Sequence, residues 1–370
     1  MTDYIVPTVR TLSAYSWEDS SEKIAAANGL QSKDVVRFDM NTNPYFLPAG
    51  TVAGCAESCA NAIAEYPDAS YSSLASKLSE YAGCKKDELV ICAGCDEVLD
   101  VAVKAFLGSG RKLVTSEPTY PMAEICASAL GNTVVRVQRS KESGYSIDED
   151  EFAEECKDAS LAYICNPNSP TGNLEPVDKI LRIAKAIPCA LFVDEAYFEF
   201  AGQTLVPFVR ECPNLVVGRT FSKAFGLAGA RVGYAIASRS LTAGMEKVRP
   251  PNSVSVISLA LAEKALEEKG SMQRSVMALA ASKKKLSARL SSLGLSTLPS
   301  QTNFLLADFG SVENASNAYC KLLQKGLVVR DVSKKPGVEG CLRITIRKDS
   351  DNERLTCELE KILKGSEFLR

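Results

Sequence analysis

Lys223 sits in the run Arg219-Thr-Phe-Ser-Lys-Ala-Phe-Gly-Leu-Ala-Gly-Ala-Arg231-Val-Gly-Tyr234, next to the hydroxyl of Ser222 and upstream of Arg231. Asp194 closes the apolar stretch Ala190-Leu-Phe-Val and opens Asp-Glu-Ala-Tyr197. An amine that can form an imine, with an acid at the end of an apolar strand, is the least a protein needs for pyridoxal phosphate (PLP) chemistry. The amine would bind the cofactor's carbonyl carbon. The carboxylate would keep the pyridine nitrogen protonated, so that the ring accepts electrons.

Other groups suit the same chemistry. Asn166-Pro-Asn-Ser-Pro-Thr-Gly172 reads as a turn, because its prolines donate no backbone hydrogen bond and glycine permits unusual dihedrals. Beside the lysine and aspartate strands, the Asn166 amide is expected to donate to a cofactor ring oxygen. Gly94-Cys95-Asp96-Glu97 precedes an apolar helix over Val98 to Leu107, and a helix start presents free amides to a phosphate. Thr220, Ser222 and Arg231 add hydroxyls and a permanent cation for that phosphate. Tyr120 can stack on a flat ring or fill a turn. Tyr197 can hydrogen-bond the ring oxygen and so lower the imine pKa.

These groups need strands to hold them. Short apolar runs at 113–115, 134–137, 161–165, 190–193, 215–217 and 232–237 alternate with helix-like segments such as Pro176 to Ala186. That rhythm predicts an α/β domain whose sheet is mainly parallel and covered on both faces. Pro250-Pro251 interrupts it. Ser258 to Leu293 then reads as one or two long helices, followed by strand-like runs at 304–306, 327–332 and 342–346 and a closing helix. The expected organisation is a large domain over 41–249 and a smaller α+β domain made of 1–40 and 250–370. Ligands of parallel sheets gather at the carboxyl ends of strands, where Asn166, Asp194 and Lys223 all fall.

Composition excludes several alternatives. The 370 residues carry a net charge of −2 and are 46% hydrophobic and 24% charged, so nothing points to nucleic acid as a partner. Histidine is absent, which removes Ser-His and Cys-His nucleophile pairs and the usual ligands of catalytic zinc. Thirteen cysteines are scattered through apolar segments. Cys92 and Cys95 have C-x-x-C spacing without a second pair, so they read as reduced thiols and no metal is expected. No apolar run reaches the roughly 18 residues of a membrane span. The N-terminus lacks a basic patch followed by an apolar run, so the expected location is cytoplasmic.

Together these motifs resemble the fold-type I PLP-dependent aminotransferases, and within them the histidinol-phosphate aminotransferases. The likeness runs through Arg10-x-Leu-x-x-Tyr15, Asn41-x-Asn43-Pro-Tyr45, Tyr66-Pro-Asp68, Gln301-Thr-Asn303-Phe304, Val329-Arg330-Asp331 and Gly340-Cys-Leu-Arg343-Ile-Thr345. It implies the PLP-transferase fold, with Lys223 as Schiff-base lysine and proton shuttle and Asp194 on the pyridinium. Asn166 and Tyr197 would hold the ring oxygen, and Tyr120 would stack on the ring. Gly94, Cys95, Asp96, Thr220, Ser222 and Arg231 would surround its phosphate. Tyr66 would reach that phosphate from the partner subunit of a homodimer. Tyr15, Asn43, Arg330 and Arg343 would face a phosphorylated amine, and Arg343 the carboxylate of glutamate or 2-oxoglutarate. The chain departs from the family's pattern at Ala14, Thr42 and Phe46, near the substrate mouth. Threonine-phosphate decarboxylase and aromatic amino-acid aminotransferase are the neighbouring activities. Tyr197, with the Ser-Lys-Ala-Phe run, favours transamination.

Overall fold

The computed structural model describes residues 4–12, 18–45 and 47–365. Its strands are β1 (Val36–Phe38), β2 (Leu89–Cys92), β3 (Lys112–Glu117), β4 (Thr133–Gln138), β5 (Leu161–Cys165), β6 (Ala190–Asp194), β7 (Leu215–Thr220), β8 (Gly233–Ala237), β9 (Ser296–Thr297), β10 (Phe304–Asp308), β11 (Leu327–Asp331) and β12 (Cys341–Thr345). Seven form one sheet in the order β2-β8-β7-β6-β5-β3-β4, and five form a second in the order β1-β11-β12-β10-β9.

The large sheet is parallel from β7 through β4, and β8 runs antiparallel to both of its neighbours. β5 and β7 are buried along their whole length, as strands covered on both faces must be. Alternate residues feed two cores. Ile164, Leu191, Val193 and Val217 point into one. Tyr163, Cys165, Phe192 and Val216 point into the other, with the helix Cys95–Ala102. The helix Val177–Ala186 covers the first face through Ile180, Ile183 and Ala184, one stripe at helical spacing.

The second sheet packs Leu305, Val329, Leu342 and Ile344 against the helices Lys269–Ser292, Val312–Gln324 and Asp349–Lys364. Beyond Pro250-Pro251, Val254, Ala262, Ala265 and Leu266 pack into the same core as the large sheet. The helices 256–267 and 269–292 therefore lead from one unit to the other. β1 places residues 36–38 parallel to β11, so the second sheet is completed from the N-terminal side. All thirteen cysteines are free. Among the described residues no helix is long and apolar enough to cross a membrane.

One close approach fixes the large sheet to its functional edge. A Cβ on Gly233, the first residue of β8, would lie 2.4 Å from the backbone nitrogen of Cys95 and from the carbonyl carbon of Gly94. The helix Cys95–Ala102 thus starts directly on the sheet. Gly233→Ala is expected to force that start away and to destabilise the fold by about 1–3 kcal/mol. Denaturant unfolding of the purified variant measures this directly.

Candidate active site

The carboxyl ends of β5, β6 and β7 meet the amino end of the helix Cys95–Ala102 on one face of the large sheet. Gly94 has φ +87°, and a Cβ there would come within 2.5 Å of Arg231 Nη2. The guanidinium consequently lies over the turn that begins the helix. Its Nη1 donates to Ser222 Oγ at 3.4 Å and its Nη2 to Asp96 Oδ2 at 3.0 Å. Thr220 Oγ1 donates to Ser222 Oγ at 3.0 Å, and Tyr120 Oη donates to Asp96 Oδ1 at 2.9 Å. A helix amino end, two hydroxyls and an arginine converge, which is a setting for a phosphate dianion.

Next to this cradle lies Asp194, 3% exposed at the end of β6. Its carboxylate accepts from Tyr163 Oη at 3.0 Å and from the Ala196 amide at 3.0 Å. Cys95 Sγ stands 4.0 Å away. Burial raises the Asp194 pKa to about 6, against the lowering effect of those hydrogen bonds. Lys223 Nζ donates to the Met40 carbonyl at 3.2 Å and lies 5.7 Å from the centroid of the Tyr197 ring. Burial first, and the Arg343 cation second, lower its pKa to about 8. One environment thus raises the acid and lowers the base, as active sites do. Tyr197 is buried, packs edge-on to Phe304 and accepts from Asn41 Nδ2 at 2.9 Å.

At the mouth, Arg330 and Arg343 are register partners across β11 and β12, so both side chains leave the same face. Arg330 Nη1 pairs with Glu18 Oε1 at 3.3 Å, and Tyr319 Oη also bonds Glu18. Arg343 donates to Ser169 Oγ at 3.1 Å and to the Asp39 carbonyl at 2.5 Å.

Asn166 and Asn43 also bond to the protein itself. Asn166 Oδ1 accepts from the Glu175 amide at 2.8 Å, and Nδ2 donates to the Glu175 carbonyl at 3.2 Å. Its amide braces the turn, and Ser169, three residues on, is the member of that turn that meets Arg343. Asn43 Nδ2 donates to the Ala224 carbonyl and to Ser275 Oγ, while Oδ1 accepts from the Tyr45 amide. Asn43 therefore ties the chain to the residue after Lys223. Tyr15, Ala14 and Phe46 lie outside the described residues. Tyr66 is 87% exposed. Sequence reasoning passed over Tyr163, Ser169, Glu18 and the network around Asn41. The parallel register of Cys165 with Asp194 was the available signal for Tyr163, whose side chain shares that face.

The arrangement suits PLP. Asp194 is a buried carboxylate bonded by neutral donors, and a pyridinium N–H would supply the cation it needs. Lys223 is an amine made nucleophilic by desolvation, and the cradle accepts a phosphate. Among the described residues no cluster of Cys, Asp and Glu could hold a metal ion.

Comparison with known proteins agrees. The family model for class I and II aminotransferases matches residues 33–359. The histidinol-phosphate aminotransferase of Ruminiclostridium cellulolyticum is 36% identical over 341 residues, covering 90% of this chain and 94% of that protein. The histidinol-phosphate aminotransferase of Thermoanaerobacter pseudethanolicus is 32% identical over 329 residues, covering 88% and 93%. The crystal structure of the histidinol-phosphate aminotransferase of Sinorhizobium meliloti, in complex with pyridoxal-5'-phosphate, superposes with a TM-score of 0.89 at 25% identity and covers 99% of both chains.

With its pKa near 8, Lys223 Nζ is half deprotonated at that pH. The rate at which cofactor-free protein captures PLP should rise through about pH 8 and level off about a unit above it. Arg343→Gln, by removing the adjacent cation, should move that midpoint upward. Growth of visible absorbance across the pH range reads both.

Proposed function

This chain belongs to the class I and II aminotransferase family, and we propose that it exchanges the amino group of histidinol phosphate with 2-oxoglutarate, using PLP. The observation that carries the substrate reading is the cross-strand pair Arg330 and Arg343, of which Arg343 acts on Lys223. Like charges placed opposite each other repel, and Glu18 already offsets part of the charge of Arg330. A phosphate or carboxylate on the substrate is an anion that arginine binds in paired hydrogen bonds.

PLP, when bound, supplies the electron sink for the pair left as a substrate C–H bond breaks. The chain supplies the rest. Lys223 Nζ, whose pKa burial lowers to about 8, takes the proton from the substrate carbon and returns it one position along. Asp194 holds the proton on the ring nitrogen, and Tyr197 donates to the ring oxygen. The amino end of the helix Cys95–Ala102, Thr220, Ser222 and Arg231 hold the cofactor phosphate, with Tyr120 against the ring. Arg343 is placed to take the carboxylate of glutamate, and Arg330 the phosphate of the amine. Both half-reactions can share these groups: histidinol phosphate brings one phosphate to the pair, and glutamate and 2-oxoglutarate bring two carboxylates each.

The same reading makes the protein a cytoplasmic homodimer. Tyr66, 87% exposed, leaves its ring accessible to a second copy of the chain. Tyr66 is assigned to the partner's cofactor phosphate.

Purified protein should form glutamate from histidinol phosphate and 2-oxoglutarate in a coupled assay. Release of carbon dioxide from threonine phosphate instead would reverse the choice between the neighbouring activities. Lys223→Ala should reduce turnover by at least about 10³-fold while PLP still binds. Mixing Lys223→Ala protein with Tyr66→Ala protein should regain activity above either alone. No regain after subunit exchange would place Tyr66 outside the shared site.

A further inference from the structure

The segment 39–43 follows β1 out of the small sheet and touches each reactive group in turn. The Asp39 carbonyl accepts from Arg343, and the Met40 carbonyl accepts from Lys223 Nζ. Asn41 Nδ2 donates to Tyr197 Oη. Asn41 is 1% exposed and has φ +53°, a left-handed conformation that asparagine tolerates better than other residues with a Cβ.

The orientation of the Asn41 amide follows from its neighbours. Its backbone N–H donates to Thr345 Oγ1 at 3.0 Å, and Thr345 Oγ1 donates back to Asn41 Oδ1 at 3.0 Å. Its carbonyl accepts from Asn303 Nδ2 at 2.9 Å. The Thr345 hydroxyl has one proton, and because it accepts from the backbone that proton is free for Oδ1. The NH₂ group must then face Tyr197. Tyr197 Oη is an acceptor on that side, so its single phenolic proton remains available to donate.

From this geometry we propose that Asn41 is a positioning residue, locked by Thr345 of β12, that keeps the Tyr197 phenol a hydrogen-bond donor toward the cofactor ring oxygen. The proposal rests on the PLP reading above. Glycine would meet the backbone requirement alone, so the asparagine side chain is needed for Tyr197. By donating to the phenol oxygen, Asn41 also makes Tyr197 a stronger donor. A stronger donor on the ring oxygen favours the state with full negative charge there, which is the state in which Lys223 Nζ has lost its proton. Losing the Asn41 amide should therefore raise the pH at which that proton leaves. The titratable groups facing Lys223 and Tyr197 are Asp194, Asp96, Arg231, Arg343 and Cys165. The substitutions below leave all five in place.

The test is a pH titration of visible absorbance on the PLP-loaded protein. Asn41→Gly keeps the left-handed backbone and removes only the amide. Its midpoint should rise by about half to one pH unit, the scale of one hydrogen bond. Thr345→Val removes the lock and should move the midpoint the same way by less. Thr345→Ser keeps the hydroxyl and should titrate like the parent. A folded, loaded Asn41→Gly with the parent midpoint overturns the proposal. If Asn41→Gly does not load, an unshifted Thr345→Val overturns it equally. A parent protein that binds no PLP chromophore sinks the PLP reading itself, and this proposal with it. A titrating parent with unshifted variants sinks only the role of Asn41.

Discussion

A carboxylate buried at the end of a central parallel strand, bonded by a phenol and a backbone amide in place of water, sets the terms for the rest of the site. β6 lies between β5 and β7, and Asp194 at its end is 3% exposed. An ion so placed loses several kcal/mol of hydration unless a cation joins it. Its pKa near 6 stands above the unfolded value of about 3.9. Between those pH values the folded chain holds a proton that the unfolded chain has released. Stability without cofactor therefore falls as pH rises through that window. A cationic ring nitrogen offsets that loss, so the free energy of cofactor binding and the strain of the empty fold are two views of one interaction.

The desolvation that raises Asp194 also lowers Lys223, and the phosphate cradle keeps the two in register with a cofactor. Gly233 under Gly94, and Gly94 under Arg231, stack three chain segments with no room for a side chain between them. The helix amino end, the β7 hydroxyls and the guanidinium are thus fixed to one another by backbone contact. Arg219, which opens the lysine run, is not part of the pocket. It is paired with Glu195 at 3.0 Å in the interior and anchors β7 from below.

Much of this was legible in the sequence. The parallel strands announced themselves as short apolar runs, and Asp194, Thr220 and Lys223 fell at their ends. β2 was missed although Leu89-Val-Ile-Cys92 is fully buried, because a four-residue run is hard to tell from the start of the helix that follows. β1 is three residues long and partly exposed, and only its pairing with β11 makes it a strand. Side-chain direction within the 166–172 turn could not be read from residue types. Asn166 and Ser169 are both polar and three apart, and only the fold decides that one closes on Glu175 while the other meets Arg343. Hydrogen bonds spanning hundreds of residues, such as Asn41 to Tyr197 and to Thr345, leave no local pattern at all.

The two arginines tie recognition to reactivity. Glu18 takes up part of the charge of Arg330, and Arg343 donates to the Ser169 hydroxyl and the Asp39 carbonyl. The Arg343 cation is, after burial, the largest influence lowering the Lys223 pKa. An anion bound by Arg343 cancels that influence at the lysine. Lys223 then becomes a stronger base at the moment a substrate carbon is placed to give up its proton. A ligand without that anion leaves Lys223 a weaker base, so selectivity for acidic substrates follows from electrostatics at Nζ as well as from contact at the mouth.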